Sequence, residues 1–416
     1  MNLCFVTPRF WSQDLRGGEE VMKTLANNLS GSHQINVVAS TSLDILSQSN
    51  PNGLKDVPGI EVPKDSLKIY RLNPNQYVTY GMHKANDLFN RMALVKPEIY
   101  SYYLLDLIRT YGWGPYLTGF QKLIRMIKPD LIHSSIFPTT SSYQAMKVSK
   151  KLNIPFIFTP YFHYNVNSFR KSILLMKIME NSQSVIACTE NEKHAIKKLG
   201  IEEERIHVIP LSFDIRVADK HKVPQETAKK NLDLGDKFVI LTHPWSAKGA
   251  ITLLRAISGI KSKREICILS IGNPDKVYID EKEKLLRDKG NISTRDMGWV
   301  TGDLKWQAFY SCDIFALPSY NDSFGLSYLN AWAAEKPVIA AKNSASEDVV
   351  SHDKDGFLVD VEDIGGFSEL LDNLMENESY LRKLGKNGRG KLISEYNEDL
   401  MVSRYEQVFS NTVKKG

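Results

Sequence analysis

Residues 317–340, LPSYNDSFGLSYLNAWAAEKPVIA, carry a long and specific pattern. An apolar strand pattern ends in a Pro-Ser turn, and a polar loop with one acidic residue, Asp322, leads to Phe324 and Gly325. A helix of small and apolar residues then runs to the next strand pattern. Because ligands of open parallel sheets bind where the strands end, beside loop amides and helix amino termini, this stretch predicts a binding site.

The rest of the chain repeats this alternation of short apolar runs with helical patterns, which is typical of parallel sheets covered by helices on both faces. Seven predicted strands precede residue 214 and five follow residue 236, enough for two sheets. The polar, charged segment 214–236 is predicted as a linker between an amino-terminal domain, residues 1–213, and a carboxyl-terminal domain, residues 237–395. A final amphipathic helix over about residues 396–416 is expected to pack back on the first domain.

The composition is that of an ordinary folded chain, with 42% hydrophobic and 24% charged residues among 416. At about 150 residues per domain, this length corresponds to two or three domains. The start of the chain lacks the basic leader of a targeting peptide, and no apolar run approaches the roughly 18 to 20 residues of a spanning helix. The four cysteines have no CxxC or metal-ligand spacing, so we expect a soluble, cytoplasmic protein with reduced thiols and no zinc site.

Positive charge is concentrated in the first half of the chain. Residues 1–190 hold 20 Lys and Arg against 13 Asp and Glu, whereas residues 191–416 hold 33 against 35. This excess is too diffuse for specific nucleic-acid binding, so no nucleic-acid partner is expected. It is either an ordinary solvated surface or a basic face that works beside anionic lipid, which makes peripheral contact with the inner face of the membrane a hypothesis.

Two shorter motifs follow other predicted strands. Gly17 and Gly18 stand at the start of a helical pattern, where backbone amides approach an anion closely; a plain tight turn is the alternative. Lys248 also stands at a helix start, with His243 five residues before it, an arrangement suited to a diphosphate. A solvated lysine beside a structural histidine is the alternative there.

Together these motifs resemble the family 4 glycosyltransferases of the GT-B fold. The family pattern has a Pro-Ser turn, an acidic residue before Phe-Gly, a second acidic residue eight positions after the first, a small-residue helix and a KPVIA-like strand. The matching residues are Pro318, Ser319, Asp322, Phe324, Gly325, Ala331 and Lys336–Ala340. The resemblance extends in the same order over nearly the whole chain, through residues 17–18, 128–133, 248–249 and 355–359.

The resemblance implies two Rossmann-like, doubly wound α/β domains facing a central cleft, with the sugar nucleotide held mainly by the second domain and the acceptor by the first. Residues 97–128, rich in Tyr and Leu, would add helices beside the cleft. Family members are similar in being retaining hexosyltransferases that use no bound metal, so no cofactor is expected. The departing diphosphate would then be stabilised by a cation, backbone amides and a helix amino terminus.

The resemblance also implies roles for individual residues. Asp322, Lys248 and His163 are the candidate catalytic residues, and His133 and His163 are expected on the acceptor side. The nucleotide of the donor is expected to be UDP or GDP, and its base is expected near Trp299. The candidate donor-binding residues are Gly17, Gly18, His243, Lys248, Trp299, Val300, Asn321, Asp322, Ser323, Phe324, Gly325 and Asn330.

Three positions depart from the family pattern. His243 stands where the family usually has Arg, so a titratable ring replaces a permanent cation. The paired acidic positions, usually Glu twice, are Asp322 and Asn330 here. The usual His-x-His reads HSS at residues 133–135, so its second histidine is missing, and His163, in a TP-x-x-H turn after the next strand, is the candidate replacement.

The leading hypothesis is a retaining glycosyltransferase of polysaccharide or glycolipid biosynthesis, which moves a sugar from a nucleotide-diphosphate donor to a glycan or lipid-linked acceptor. The altered acidic pair and the missing histidine support a second hypothesis, a catalytically divergent binding or scaffold subunit on the same fold. A nucleotide-sugar epimerase is the third. The sequence does not distinguish the donor sugar, the base, the acceptor, the linkage or the oligomeric state.

Overall fold

The computed structural model describes residues 1–10, 17–41, 59–75, 114–136, 139–165 and 172–415. These residues form two compact α/β units, one of residues 1–209 with 401–416 and one of residues 210–400. Each unit has its own largely parallel sheet, so the predicted fold class is confirmed. Of the Tyr- and Leu-rich stretch 97–128, residues 97–113 lie outside the described residues.

The first unit is built on a largely parallel sheet. Its described strands are β1 (Asn2–Val6), β2 (Gln34–Ser40), β3 (Ile60–Lys64), β4 (Leu67–Leu72), β5 (Leu131–Ser135), β6 (Phe156–Thr159), β7 (Ser184–Ala187) and β8 (Ile206–Val208). They run in the order β3-β4-β2-β1-β5-β6-β7-β8, with β3 antiparallel to β4. The helices before residue 210 are α1 (Gly17–Leu29), α2 (Phe120–Ile127), α3 (Thr140–Leu152), α4 (Ile173–Glu180) and α5 (Glu190–Lys198).

The second unit has a parallel sheet. Its strands are β9 (Phe238–Thr242), β10 (Ile266–Ser270), β11 (Ile292–Asp296), β12 (Ile314–Leu317), β13 (Val338–Ala341) and β14 (Gly356–Val359), in the order β11-β10-β9-β12-β13-β14. The later helices of the chain are α6 (Ile215–Asp219), α7 (Gln225–Asn231), α8 (Ala250–Ser258), α9 (Lys276–Leu286), α10 (Gly302–Ser311), α11 (Leu326–Ala333), α12 (Ile364–Met375), α13 (Glu378–Glu395) and α14 (Glu398–Lys415).

Three helices of the first unit lie side by side. The helices α2, α3 and α4 connect β4 to β5, β5 to β6 and β6 to β7, and each connection leads in the same direction across the sheet. Because such connections are right-handed, the three helices lie on the same face of the sheet. Neighbouring helices of this layer contact one another and bury apolar side chains such as Phe120, Met146 and Leu175 against the strands. Side-chain caps define two of the helix starts, since Thr139 accepts from the Ser142 amide and Ser172 accepts from the Leu175 amide.

The segment 214–236, predicted as a linker, is part of the second unit. It contains α6 and α7, whose polar side chains are paired with the unit's body. Asp313 accepts a hydrogen bond from the side-chain amide of Gln225 at 2.7 Å and forms an ion pair with Lys229 at 2.9 Å. The Tyr310 hydroxyl donates to the carbonyl of Ala218 at 2.9 Å. The sequence of the segment looks like a polar linker because both helices are short and each buries only one residue, Ala218 in α6 and Ala228 in α7.

The final helix completes the first unit from Met401 onward. Tyr405 and Phe409 are fully buried. The Tyr405 hydroxyl lies 3.4 Å from that of Thr159, and the Phe409 ring is centred 5.9 Å from the Phe5 ring. None of the described helices, α14 included, combines the length and the apolar character needed to cross a bilayer.

Candidate active site

Two loops of the second unit meet at the carboxyl edge of its sheet. The loop after β9 carries Lys248 and the loop after β12 carries Asp322, and the two side chains form an ion pair. Gly249 has a φ of +81°, and a Cβ at this position would lie 2.0 Å from the carbonyl oxygen of Pro318. Only glycine therefore lets the two loops come so close. The structure brings together two motifs that the sequence shows only separately.

The loop after β12 is anchored at both ends. Phe324 is buried beneath the loop, and Gly325, with a φ of +94°, precedes the first residue of α11. The Tyr328 hydroxyl donates to the carbonyl of Leu317 at 2.6 Å, which ties the first turn of α11 to the end of β12. The positive end of α11 is thereby held beside Asp322.

His243 has both ring nitrogens engaged within the protein. Nδ1 lies 2.9 Å from the carbonyl oxygen of Ile271, and Nε2 lies 2.8 Å from the hydroxyl of Ser327. Because a carbonyl oxygen only accepts, Nδ1 carries the proton and Nε2 accepts from the hydroxyl. Burial lowers the pKa of His243, so the ring is neutral at neutral pH. His243 therefore orders this edge of the sheet and adds no positive charge there, and its contact with the donor stays a prediction.

Asn330 occupies the second acidic position of the family pattern, on α11. Its side-chain oxygen Oδ1 is buried and has no hydrogen-bond partner among the described residues. Buried polar atoms are nearly always paired, and leaving one unpaired costs about 1 to 3 kcal/mol. Within the described residues this acceptor oxygen is left without a donor, while the Asn330 side chain as a whole is only partly buried.

Exposed aromatic rings follow three strands of the same sheet. Trp245 follows β9, Trp299 follows β11 and Tyr320 follows β12, with 52%, 55% and 42% of their surfaces exposed. The Gly272 amide donates to the carbonyl of Gly298 at 2.7 Å, so the loops after β10 and β11 run side by side. Trp245 and Tyr320 stand within the two sequence motifs, but no pattern in the sequence predicts a role for either ring. The other predicted donor residues on these loops, all partly buried, are Val300, Asn321 and Ser323.

Asp275, which the sequence analysis did not select, orders the turn that carries Lys248. Its Oδ2 accepts from the amide and the hydroxyl of Ser246, both at 2.7 Å. Its Oδ1 accepts from the Tyr278 amide at 2.8 Å and caps α9. The cap is visible in the sequence as an Asp before a helical pattern. The contact with Ser246 is not, because it joins loops after two different strands.

In the first unit, the Gly-Gly motif packs against the turn that follows β6. Gly17, with a φ of +35°, is the first residue of α1. A Cβ on Gly18 would lie 2.2 Å from the ring of Tyr161, so any larger residue would displace that ring. Tyr161 is buried, with a φ of +47°. Gly18 thus contacts the same turn that carries His163.

The turn after β6 is held by a buried carboxylate that sequence reasoning missed. Glu192 accepts from the Phe162 amide at 2.5 Å and from the Cys188 amide at 2.6 Å. Burial raises the pKa of Glu192 to about 7, against the opposing effect of these hydrogen bonds. Thr189 accepts from the Glu192 amide at 3.1 Å, and this T-x-x-E capping pattern is the signal visible in the sequence. Glu192 fixes the backbone directly before His163, which is itself partly buried.

The structure contradicts the acceptor-side assignment of His133. The ring is fully buried and its Nε2 lies 2.9 Å from the hydroxyl of Thr159. Rings of Phe5, Tyr405 and Phe409 enclose it at centroid distances of 5.7, 5.5 and 5.4 Å. Burial lowers the pKa of His133 to about 3, so it is a neutral core residue. An acceptor has no access to this ring.

Two family models match consecutive parts of the chain. The model described as Glycosyltransferase Family 4 matches residues 15–217, and the model described as Glycosyl transferases group 1 matches residues 223–391. The chain belongs to the group 1, family 4-like glycosyltransferases. The Gly-Gly motif lies within the first match, and the Lys248–Asp322 pair lies within the second. The predicted family is therefore confirmed.

Two curated glycosyltransferases show how low the sequence identity between this chain and its relatives is. A capsular polysaccharide biosynthesis glycosyltransferase from Staphylococcus aureus is 24% identical over 56% of this chain and 62% of its own length. The N,N'-diacetylbacillosaminyl-diphospho-undecaprenol alpha-1,3-N-acetylgalactosaminyltransferase of Campylobacter jejuni is 24% identical over 55% of this chain and 60% of its own length. The chain thus spans less than two thirds of the length of either relative.

Similarity to solved structures covers nearly the whole chain. HepE from Anabaena, solved in complex with UDP and glucose, superposes with a TM-score of 0.68 at 14% identity, over 98% of this chain and 99% of that protein. Two parallel-sheet units and this similarity confirm the predicted GT-B fold.

We expect Glu192→Gln to weaken the pH dependence of stability. The pKa of Glu192 is raised from its usual 4.5 to about 7, so between these values the folded chain holds a proton that the unfolded chain has released. Stability therefore falls as pH rises through this window and levels off above it. Between about pH 5.5 and 7 this group alone lowers the free energy of unfolding by about 1.5 kcal/mol. Denaturant unfolding at both pH values measures the difference.

Glu190→Gln is the matched control, because Glu190 is exposed in the first turn of the same helix. It should leave the pH dependence as it is in the parent chain. Equal pH dependence in the parent chain and in Glu192→Gln would contradict the raised pKa.

Proposed function

We propose that this chain transfers a hexose from a UDP- or GDP-sugar to a glycan or lipid-linked acceptor, with retention of anomeric configuration and without a bound metal. The reaction would belong to polysaccharide or glycolipid biosynthesis at the cytoplasmic face of a membrane. The observation that carries the proposal is the Lys248–Asp322 pair at the carboxyl edge of the second sheet, beside the start of α11.

Lys248 and α11 are suited to the diphosphate of the donor. An ammonium group and a helix amino terminus both stabilise negative charge, which increases on the diphosphate as the sugar departs. The Lys248 side chain is 25% exposed, so a ligand can reach it. Asp322 would hold this ammonium in position and accept hydrogen bonds from hydroxyl groups of the transferred sugar.

Other groups at the same edge fit the nucleoside. The side chain of Asn330 is only partly buried, and its amide group would form a hydrogen bond with a ribose hydroxyl. The exposed ring of Trp299 offers an apolar surface to the base. HepE, which has the same fold and was solved with UDP and glucose, supports a nucleotide-sugar donor.

The first unit would hold the acceptor. His163 follows β6 at the carboxyl edge of that sheet, where ligands of such sheets bind. The Campylobacter relative, named for a diphospho-undecaprenol acceptor, supports a lipid-linked class of acceptor. His163 would orient the acceptor hydroxyl, on a turn that Glu192 and Gly18 hold in place.

One observation favours a second candidate function, a binding or scaffold subunit. Asp322 and Asn330 stand where the family pattern usually has two glutamates, so both acidic positions of the pattern are altered here. Such a subunit would bind sugar nucleotides and transfer nothing.

A transfer assay distinguishes the two functions. The full chain is incubated with a panel of UDP- and GDP-sugars and membrane lipid extracts, with and without EDTA, and glycosylated products are identified by mass spectrometry. Product formation that EDTA leaves unchanged supports the proposal. Nucleotide binding without product for any donor and extract would support the scaffold, and interconversion of a donor without acceptor would indicate an epimerase.

We expect Asn330→Ala to weaken nucleotide binding by about three- to tenfold, with little change in kcat. The alanine removes a side-chain amide that would bond ribose, a part of the donor that does not react, so the loss appears in binding. Asn330→Glu, which restores the family residue, should bind equally or more tightly. Calorimetry with UDP and GDP measures both variants. A fall in kcat at unchanged affinity would contradict the ribose assignment.

A further inference from the structure

The layer of α2, α3 and α4 carries a concentration of positive charge. Residues 120–130, 140–152 and 173–180 contain seven Lys and Arg but only two carboxylates, Asp130 and Glu180. Because α2 contacts α3 and α3 contacts α4, the outer sides of the three helices form one continuous surface, which we call the basic face. The charge excess that the sequence shows over the first half of the chain is therefore largely gathered on one side of the first unit.

Five of the cations of the basic face are directed to solvent. Lys122, Arg125, Lys147, Lys150 and Lys151 are exposed, and within the part of the chain that the structure describes none of them forms an ion pair. The partners found are neutral: Lys150 donates to the Asn181 side chain at 2.9 Å, and Lys147 lies 5.3 Å from the centre of the Tyr143 ring. The charge of these five side chains is thus not neutralised by a carboxylate of the described residues.

A hollow of about 580 Å³ lies between α2 and α3 in this face. Three lysines, Lys122, Lys147 and Lys151, stand around it with Tyr116 and Tyr143. Its described lining contains no Asp or Glu. The hollow is therefore suited to a negatively charged group such as a phosphate, with ammonium groups on several sides.

Two helices of the basic face also expose apolar side chains. Met126 on α2 is 66% exposed and Ile173 at the start of α4 is 37% exposed. Lysines and arginines that surround isolated apolar tips are the composition of surfaces that lie on anionic bilayers, where cations meet headgroups and apolar tips enter the interface. A surface for nucleic acid would gain nothing from the exposed Met126 and Ile173.

We propose that the basic face of α2, α3 and α4 docks on anionic phospholipid, with a phosphate-bearing headgroup seated in the hollow between α2 and α3. The inference deepens the proposed function, because a lipid-linked acceptor is presented at a bilayer surface. It does not depend on the transfer chemistry, since the basic face lies on helices rather than on the loops that carry the candidate catalytic residues.

Co-sedimentation of the full chain with vesicles tests this proposal. The vesicles are phosphatidylcholine alone or phosphatidylcholine with about 30% phosphatidylglycerol, at about 50 mM and about 500 mM NaCl. We expect binding to the anionic vesicles at low salt, and at least a tenfold weaker binding at high salt. Equal binding to both kinds of vesicle, or binding to neither, would overturn the proposal.

A charge-reversal variant tests the face itself. Lys122→Glu with Lys147→Glu and Lys151→Glu should weaken vesicle binding at least tenfold. Lys263→Glu with Lys383→Glu and Lys386→Glu changes net charge by the same amount at exposed positions of the second unit, and should bind nearly as the parent chain does. Equal losses in both variants would show a net-charge effect and overturn the assignment to this face.

Loss of vesicle binding must be distinguished from misfolding and from loss of the donor site. Circular dichroism and UDP or GDP binding should be unchanged in the charge-reversal variant, and transfer to a water-soluble acceptor analogue should continue. Failure of that transfer in the parent chain would count against the proposed function but not against docking. Tighter binding to a duplex oligonucleotide than to anionic vesicles, or saturation by inorganic phosphate alone without vesicle binding, would overturn the lipid assignment.

Discussion

Lys248→Ala is expected to weaken binding of UDP or GDP by about 10- to 150-fold, or about 1.5 to 3 kcal/mol, the range for charge-assisted hydrogen bonds. The alanine removes the ammonium group from the diphosphate site. It also leaves Asp322, only 14% exposed, as a carboxylate without its cation. That carboxylate would then repel the diphosphate. Calorimetry with both nucleotides measures the loss.

A double-mutant cycle separates these two effects. Lys248→Ala/Asp322→Ala should recover part of the lost affinity, because the uncompensated carboxylate is removed as well. Lys276→Ala, an exposed lysine of the same unit, is the control and should bind normally. Unchanged affinity of Lys248→Ala for the nucleotide that binds the parent chain would remove Lys248 from the diphosphate site.

Asp322→Ala is expected to lower kcat for transfer by at least tenfold and by up to about 100-fold. In the structure Asp322 both pairs with Lys248 and stands at the start of α11, so its loss disturbs the cation and the orientation of the sugar together. Donor affinity should change less than kcat. Steady-state kinetics with the donor and acceptor identified in the transfer assay give the two values.

Asp322→Asn tests whether charge or hydrogen bonding is needed at this position. The amide keeps one acceptor oxygen but loses the ion pair, so we expect an intermediate kcat. Asp280→Ala, at an exposed position on α9, is the matched control and should retain full turnover. Full turnover of Asp322→Ala would show that the loop after β12 does not face the transferred sugar.

Most of the fold is visible in the sequence, except at one edge of each sheet. The predicted strands do not include β3 or β11, which lie at the ends of their sheets. All residues of β3 are exposed and one of them is Pro63, and β11 has no fully buried residue. Each of these two edge strands has one neighbour in its sheet and largely exposed side chains, so its sequence lacks the apolar run that marks a central strand.

The site was predictable as a set of motifs but not as a set of contacts. Strand, loop and helix patterns identify the stretches that carry Lys248 and Asp322, yet the ion pair between them depends on the approach of Gly249 to Pro318. His133 follows the family pattern of the sequence but is enclosed by Tyr405 and Phe409 of α14. For Glu192 the sequence shows only the capping pattern with Thr189. The contact between Glu192 and the turn before His163 is seen only in the structure.

The sequence alone is sufficient for the α/β class, the two sheets, the order of the motifs and the family, because periodicity, turns and glycines act over a few neighbouring residues. Only the folded chain shows the Lys248–Asp322 pair, the neutral state of His243, the burial of His133 and the gathering of scattered lysines on α2 and α3. These features join residues that are far apart in the sequence. Their free energies depend on burial, distance and angle, which arise only when the helices and strands pack together.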